Sequence, residues 1–349
     1  MNEQFQVTSP DTPPSVAMLR MISGFRVARA IYIAAKLGLA DLLKDGSKHT
    51  EELAEASGTH APSLYRVMRA LATVGIFAEK ESGRFTLTPI AATLQSDAPD
   101  SLRAWAIMAL GEEDYQAWGN LMHSVRTGES AFTHVFGMGV WQYRAQHPEH
   151  AKIFDEAMAN LVGVYNAAVL ANYPFSTIKT LVDVGGGDGS LLVAILQANP
   201  EITGVLFELP DAAEKAKQRI AAVGLDRRCE VVSGNAIDSV PKGADAYILS
   251  RVINSFDDKR ATSILQSCRR AIIQHESKLL LLERVLPDRV ECSIAAQGLV
   301  MSDLNLMVIG GGRERTAAEH RALLEAAGFA LTKVVPTQSE VSVIEAVPA

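Results

Sequence analysis

Apolar positions along the first third of the chain recur at helical spacing. Ala30, Ile33, Ala34 and Leu37 fit the i, i+3, i+4, i+7 template, and Leu64, Val67, Met68 and Leu71 fit it again, with Gly75 placed to stop the second helix. Between them Thr50 stands where it can cap a short helix opening on Glu51 and Glu52, acids suited to the positive end of a helix. Two strand-like runs follow, Gly75 to Glu79 and Arg84 to Thr88, joined across Ser82 and Gly83. Helices followed by such a hairpin predict a winged helix.

Upstream of this region, residues 1–15 carry Pro10, Pro13 and Pro14 among polar residues, too little apolar content to pack, which predicts a mobile arm. The winged-helix region is expected over 16–100. Residues 101–176 read as a helical connector holding Trp105, Trp118 and Trp141, with a helix starting near Gln146, His147 and Pro148. Phe154 and Met158 lie four apart on one face of that helix, a spacing that core packing explains as well as a ligand pocket does. Beyond Thr177 short apolar runs alternate with helical stretches, the pattern of a largely parallel sheet, so a doubly wound α/β domain is expected over 177–349, its boundary between Tyr173 and Lys179.

Composition narrows the function classes. A chain of 349 residues, 48% hydrophobic and 21% charged, has enough apolar surface for a folded core and a length that suggests roughly two domains. Its net charge of −7 gives no general attraction to nucleic acid or anionic lipid. The winged-helix region holds ten Lys or Arg against nine Asp or Glu over residues 1–90, and its second helix offers only Arg66 and Arg69, so the basic stripe of a DNA reader is missing. Cys229, Cys268 and Cys292 form no CxxC or Cys/His cluster; neither a disulfide framework nor a metal site is expected, and a reducing, cytoplasmic setting fits. The N-terminal stretch shows no basic segment followed by an apolar run, and no stretch reaches the roughly 18 uninterrupted apolar residues a membrane span needs, so a soluble, unexported protein is expected.

Chemistry concentrates after the boundary. The buried-strand run Thr180 to Val184 feeds into Gly185-Gly186-Gly187-Asp188-Gly189, and a helical stretch, Ser190 to Gln197, follows. Strand, glycine turn and helix start together form a ligand site, because glycine lets a ligand reach the backbone and the N–H groups point outward. The next strand ends at Glu208, a carboxylate able to accept two hydrogen bonds from a ribose diol. The dinucleotide spacing G-x-G-x-x-G fails, since its sixth position is Ser190 counted from Gly185 and Leu192 counted from Gly187, and no phosphate-cradling G-x-x-x-x-G-K-[ST] occurs. What remains suits a nucleoside carrying an amino-acid tail.

These motifs resemble those of class I S-adenosylmethionine-dependent methyltransferases, specifically the plant-type small-molecule O-methyltransferases and their bacterial natural-product branch. The likeness covers nearly the whole chain and rests on the winged-helix region, Phe154 to Met158, Leu181 to Gly189, Phe207 to Pro210, Gly234 to Ile237, Leu282 and Glu283, and Gly311-Gly-Arg-Glu-Arg-Thr316. It implies S-adenosylmethionine as cofactor, no metal, a small-molecule acceptor and a homodimer built by the N-terminal domain. It further implies that Asp183, Gly185 and Gly187 lie against the methionine part of the cofactor, that Glu208 holds the ribose, that Asn235 and Ala236 meet the adenine, and that Ser250 and Arg251 close the site. Met301 and Asn305, with Phe154 and Met158, are implied as acceptor-pocket residues, although Met301 and Asn305 equally suit helix-to-sheet packing.

The family usually has Asp where Glu208 and Asn235 stand and a larger apolar residue in place of Ala236, but the departure that matters lies elsewhere. Asn254 stands where the family has a histidine that serves as general base, and an amide cannot take that proton. Glu283 and Glu314 match the carboxylates that flank that histidine. Methyl transfer needs the nucleophile held in line with the sulfonium, and positioning supplies much of the rate without a base. The expected reaction is therefore O-methylation of an acidic phenol or enol, or transfer to a carboxylate or nitrogen, or transfer assisted by Glu283, Glu314 or a pocket histidine. The alternatives are N-methylation and a non-methylating reaction such as cyclisation, elimination or hydroxylation; a binding or regulatory protein is disfavoured by the near-neutral N-terminal region. Of the histidines, His123, His134, His147 and His150 fall in the helical middle region and His49, His60, His275 and His320 in segments that read as exposed; spacing selects none of them.

Overall fold

The computed structural model describes residues 12–349 and forms two compact units. One comprises the chain up to Tyr115 together with Arg144–Asn160; the other comprises Gln116–Tyr143 and Leu161–Ala349. Residues 1–11 of the expected arm lie outside the described residues, and a helix, Pro14–Lys36, already begins with proline in its first turn.

In the first unit the helices Thr50–Ser57 and Ala61–Thr73 pack with a three-stranded antiparallel sheet, β1 (Lys48–His49), β2 (Phe77–Glu81) and β3 (Arg84–Leu87), in the order β1-β3-β2. This is a winged helix. Leu53, Leu64, Met68, Leu71, Phe77 and Phe85 are buried together, the last two because alternate strand residues face the helices. The first helix is capped one residue earlier than the sequence predicts: Glu52 accepts from the His49 N–H at 2.6 Å, while the Thr50 hydroxyl instead donates to the Gly83 carbonyl at 3.0 Å. β1 was too short to show as a periodic run, and it is that pairing with β3 that takes Thr50 away from the cap.

The second unit is built on seven strands: β4 (Thr180–Val184), β5 (Thr203–Glu208), β6 (Cys229–Ser233), β7 (Ala246–Ser250), β8 (Lys278–Glu283), and, after a small parallel pair β9 (Val285–Leu286) and β10 (Arg315–Thr316), the strands β11 (Phe329–Pro336) and β12 (Ser342–Pro348). The sheet order is β11-β12-β8-β7-β4-β5-β6. β4 to β8 run parallel, and β12 joins antiparallel to β8 with β11 antiparallel to it. Both faces are covered, which is why the parallel strands read as continuous apolar runs. Leu181, Leu206, Ile248 and Leu280 enter one core; Val182, Phe207, Tyr247, Leu249, Leu279 and Leu281 enter the other. The strand order reverses between β4 and β7, so the carboxyl ends of these strands open the crevice in which ligands bind in such sheets.

Among the described residues no helix is long and apolar enough to cross a membrane, and no group of three or more His, Cys, Asp or Glu is placed to hold a metal ion.

Candidate active site

At the switch point β4 passes into the glycine turn, and its register is held by the Gly185 N–H donating to the Phe207 carbonyl at 2.8 Å. Gly185 and Gly187 have φ of +73° and +58°, which favour glycine. A Cβ on Gly185 would stand 2.8 Å from Val252 Cγ2, whereas one on Gly187 would meet nothing within 4 Å. The first glycine is thus required by packing against the turn after β7, and the second leaves open space over the strand ends. Glu208, half-buried at the end of β5, accepts from the Gly187 N–H at 2.9 Å through Oε2 and from the Leu209 N–H at 2.7 Å through Oε1.

Asp183 is the anomalous member of this group. Its carboxyl is fully buried, neither oxygen has a hydrogen-bond partner, and its pKa is pushed up to about 8 by burial first and then by the charges of Glu208 and Asp188. An unpaired buried acid is costly unless something cationic comes to it. An ammonium group on an amino-acid tail is such a partner, and with a ribose for Glu208 and open backbone at Gly187 the residues fit S-adenosylmethionine. Farther along, Asn235 is exposed and its Oδ1 accepts from the Ile237 N–H at 3.0 Å, while Ala236 is half-buried against the core on that side of the sheet. Ser250 is half-buried at the end of β7.

The turn after β7 gathers the remaining candidates of this unit. Arg251 has φ of +57°, the only positive value for a non-glycine among the described residues, and its N–H donates to the Leu282 carbonyl at 3.0 Å. That conformation, costly for a side-chain-bearing residue, sends the guanidinium to two carboxylates. Nη1 and Nη2 donate to Glu314 at 3.1 and 2.9 Å in a two-point grip, and Nη1 lies 3.4 Å from Glu283 Oε2. Glu283 caps the short 3-10 turn Ile253–Ser255, accepting at Oε1 from the Ile253 N–H at 3.0 Å and the Asn254 N–H at 3.4 Å. Burial pushes its pKa up to about 7 against the opposing pull of Arg251. Glu314 is buried and also accepts from the Ser302 hydroxyl at 3.0 Å, with Arg284 Nη1 3.7 Å away.

Asn254 is buried on this turn; its carbonyl accepts from the Arg313 N–H at 2.8 Å, and Gly312 passes so close that a Cβ there would stand 2.1 Å from that oxygen. The structure therefore brings Asn254, Glu283, Glu314 and Arg251 together, with Arg251 occupying the two carboxylates. On the helix Ile294–Ile309, Met301 is exposed and Asn305 Oδ1 accepts from the Trp118 indole N–H at 3.0 Å. Phe154 and Met158 belong to the first unit, where the Arg144 guanidinium lies 3.8 Å over the Phe154 ring.

Sequence reasoning passed over Arg315. Its buried guanidinium donates to the Ile253 and Phe256 carbonyls, each at 3.1 Å, and to Asp258 Oδ1 at 2.7 and 3.0 Å, pinning the turn from below. It stands inside the Gly311–Thr316 motif, so the motif pointed to it, but its task follows only from the pairing of β10 with β9. His320, expected in an exposed segment, is buried with neither ring nitrogen hydrogen-bonded, and burial pushes its pKa down to about 4.

Comparison with known proteins agrees with this geometry. The O-methyltransferase domain family matches residues 118–330, and the O-methyltransferase dimerisation domain matches residues 19–97. The chain is 45% identical to a phenazine O-methyltransferase of Lysobacter antibioticus over 96% of this chain and 97% of that one. It is 30% identical to a phenazine-1-carboxylate N-methyltransferase of Pseudomonas aeruginosa over 94% and 96% of the two chains. A solved O-methyltransferase from neocarzinostatin biosynthesis, in complex with S-adenosylmethionine and 2-hydroxy-5-methyl naphthoic acid, superposes with a TM-score of 0.84 at 32% identity, covering 95% of this chain and 98% of that one. With its doubly wound sheet, glycine turn and acidic pair, the chain belongs to the S-adenosylmethionine-dependent O-methyltransferase family and carries that family's dimerisation domain.

Proposed function

We propose that this enzyme O-methylates a hydroxyl on an aromatic natural product of the hydroxyphenazine or hydroxynaphthoate kind, and that the hydroxyl reacts as an anion or close to one. The observation that carries the reading is the turn at Asn254, where an amide replaces a base and both neighbouring carboxylates are already engaged by Arg251 and by backbone N–H groups. S-adenosylmethionine supplies a methyl group on a sulfonium. Asp183 holds the ammonium of its tail, Gly185 and Gly187 give its backbone approach, and Glu208 takes the ribose diol. Asn235 and Ala236 meet the adenine, and Ser250 closes that side. On the acceptor side Met301 and Asn305 supply wall residues, with Asn305 fixed by Trp118.

The enzyme works as a homodimer through its N-terminal domain and in the cytoplasm, the latter supported by three free cysteines of which two are buried. Incubating purified protein with S-adenosylmethionine and a panel of hydroxyphenazines and hydroxynaphthoates tests the reading. Methyl ether and S-adenosylhomocysteine should form one for one; no S-adenosylhomocysteine from any member of the panel would overturn it. N-methylation is the second reading, favoured by the Pseudomonas aeruginosa relative, and the same assay separates it by the site of the methyl group in the product.

A further inference from the structure

In the second unit Arg251 engages Glu283 and Glu314, the two carboxylates that flank the turn carrying Asn254, while its neighbour Val252 packs against Gly185 of the glycine turn. Its two-point grip on Glu314 uses one hydrogen on each terminal nitrogen, and the longer contact to Glu283 uses another. The Nε–H and the second hydrogen on Nη2 make no bond among the described residues, and 24% of the side chain remains exposed. The guanidinium is thus fixed by its carboxylates and keeps two donors for a further partner.

The groups around it come from three further elements. Glu283 faces it from β8, Glu314 from the segment before β10, and Tyr165 from the helix Pro148–Asn172. Arg284 lies beyond Glu314, with its Nη2 donating to the Tyr165 hydroxyl at 3.0 Å. Arg284 also pairs with Glu340, and Asp303 accepts from the Glu314 N–H at 2.8 Å, so Arg284 is engaged by carboxylates on both sides and Arg251 is the arginine of the pair with a terminal donor to spare.

We infer that Arg251 is the oxyanion-binding residue of this enzyme: its free donors receive the ionised hydroxyl of the acceptor, so that the proton is released to solvent and none is taken by a protein base. A preorganised cation aimed at the charged form lowers the pKa of the bound hydroxyl and needs no reorganisation when the oxygen attacks. Arginine suits the task because it stays charged at any working pH, and its planar fork serves the carboxylates on one side and the acceptor on another. Glu283, raised towards neutrality, adds little opposing charge. The inference rests on the proposed phenolic acceptor and adds how that acceptor is activated.

The test uses the full-length enzyme saturated with S-adenosylhomocysteine and 1-hydroxyphenazine, whose visible absorption reports the ionisation of its own hydroxyl. In the wild type the bound hydroxyl should ionise at least one pH unit below the free compound, a tenfold shift in the equilibrium. Arg251→Gln should return it to the free value or above, and the acid limb of kcat should move up with it. The double variant Arg251→Gln with Glu314→Gln also removes the carboxylate that Arg251 grips at two points, while Glu283 keeps its two backbone N–H donors; it should regain stability but not the spectral shift, whereas a purely structural arginine would be rescued in both. Should the single variant fail to fold, the wild-type titration still decides, because a bound hydroxyl ionising at or above the free value overturns the proposal. Turnover of the same compound with S-adenosylmethionine keeps the two readings apart: methylation without the shift removes the role of Arg251 alone, while neither binding nor methylation of hydroxyphenazines and hydroxynaphthoates removes the acceptor reading and this one with it.

Discussion

Glu208 and Gly187 are joined by a hydrogen bond of 2.9 Å from the glycine N–H to Oε2, which ties the end of β5 to the turn after β4 and aims the carboxylate at the strand ends. In the proposed site the same acid would shape the glycine loop and hold the ribose of the cofactor. Glu208→Ala removes both functions, each a charge-assisted bond worth about 1.5 to 3 kcal/mol, and S-adenosylhomocysteine affinity should fall by one to two orders of magnitude. Gly187→Ala should weaken binding while lowering stability only by the roughly 1 kcal/mol of its left-handed backbone, whereas Gly186→Ala places a Cβ 2.6 Å from Asp183 Oδ2 and should destabilise the apo fold more. Calorimetry and thermal denaturation on the three variants separate these effects. Unchanged affinity in both Glu208→Ala and Gly187→Ala would remove this loop from the cofactor site.

The helix Pro14–Lys36 leaves Met18, Leu19, Met21, Ile22 and Phe25 between 52% and 62% exposed, a contiguous apolar face on a domain matched by a dimerisation family. Leu19→Glu combined with Ile22→Arg should leave the winged helix folded and abolish self-association. Sedimentation should give twice the chain mass for the wild type and the chain mass for the variant; a wild type that sediments as a monomer at micromolar concentration refutes the dimer.

Much of this arrangement was legible because local patterns and chain order coincide. The glycine turn, its strand and Glu208 are set by one βαβ unit, so spacing alone put Asp183, Gly187 and Glu208 together. Arg251 was read towards the cofactor, and the destination of its side chain could not be read, because it depends on a left-handed backbone residue and on the register of β7 with β8. Arg315 is the same kind of case: only the pairing of β10 with β9 brings it under the turn. His320 reads as polar on a helix otherwise marked by Glu319 and Arg321, and nothing local shows that its face packs inward.

Buried titratable groups make stability depend on pH in two opposite ways. His320 has a folded pKa of about 4 against an ordinary 6.5, so the unfolded chain binds the extra proton between those values. Its contribution is present above about pH 6.5 and is lost as pH falls through about 4, up to roughly 3 kcal/mol at 1.36 kcal/mol per pKa unit. Asp183 runs the other way: raised from 3.8 to about 8, it favours the fold below pH 3.8 and loses that contribution as pH rises through about 8. Between about pH 4 and 6.5 the two contributions have opposite slopes and largely cancel, so urea denaturation of the apo protein across pH 4 to 9 should show stability falling mainly between about pH 6.5 and 8. His320→Gln should let the decline start near pH 4, and Asp183→Asn should remove the decline and leave a rise between about pH 4 and 6.5. Unaltered pH profiles in both variants would contradict the assignment of these groups.

Arg315→Met should strike the turn without touching the acceptor. The substitution frees the Ile253 and Phe256 carbonyls and leaves Asp258 with only Arg313, 3.7 Å away. Asp258 is exposed and stays solvated without its partner, so the cost falls on the carbonyls that lose a donor, about 1 to 3 kcal/mol for each that stays unsatisfied. The midpoint of denaturation should fall accordingly, and kcat should fall further than S-adenosylhomocysteine affinity, because the turn carries Asn254 and Arg251 while the glycine loop is held by β4 and β5. Equal losses in kcat and cofactor affinity would mean that Arg315 supports the whole crevice and not this turn.

Restoring histidine at position 254 tests what the two carboxylates are for. If Glu283 and Glu314 were free to orient a ring, Asn254→His would supply a general base worth about 10² to 10⁴ in rate on a weakly acidic phenol. In this protein Glu314 is gripped by Arg251 at two points and Glu283 caps the turn, so the new imidazole would find no carboxylate to set its tautomer. Asn254→His alone should therefore change activity on acidic acceptors by less than about tenfold and gain little on phenols of ordinary acidity. Asn254→Ala should likewise cost only modestly, because it removes an orienting amide and no proton acceptor. Pairing Asn254→His with Arg251→Met releases Glu314 for the ring and should shift preference towards less acidic phenols, with a pH profile now governed by the imidazole instead of the acceptor. The measurement is kcat against pH for the single and paired variants on two phenols of different acidity, with S-adenosylhomocysteine release followed throughout. A large gain from the single histidine substitution would show that the carboxylates are available after all and that Arg251 yields them at little cost.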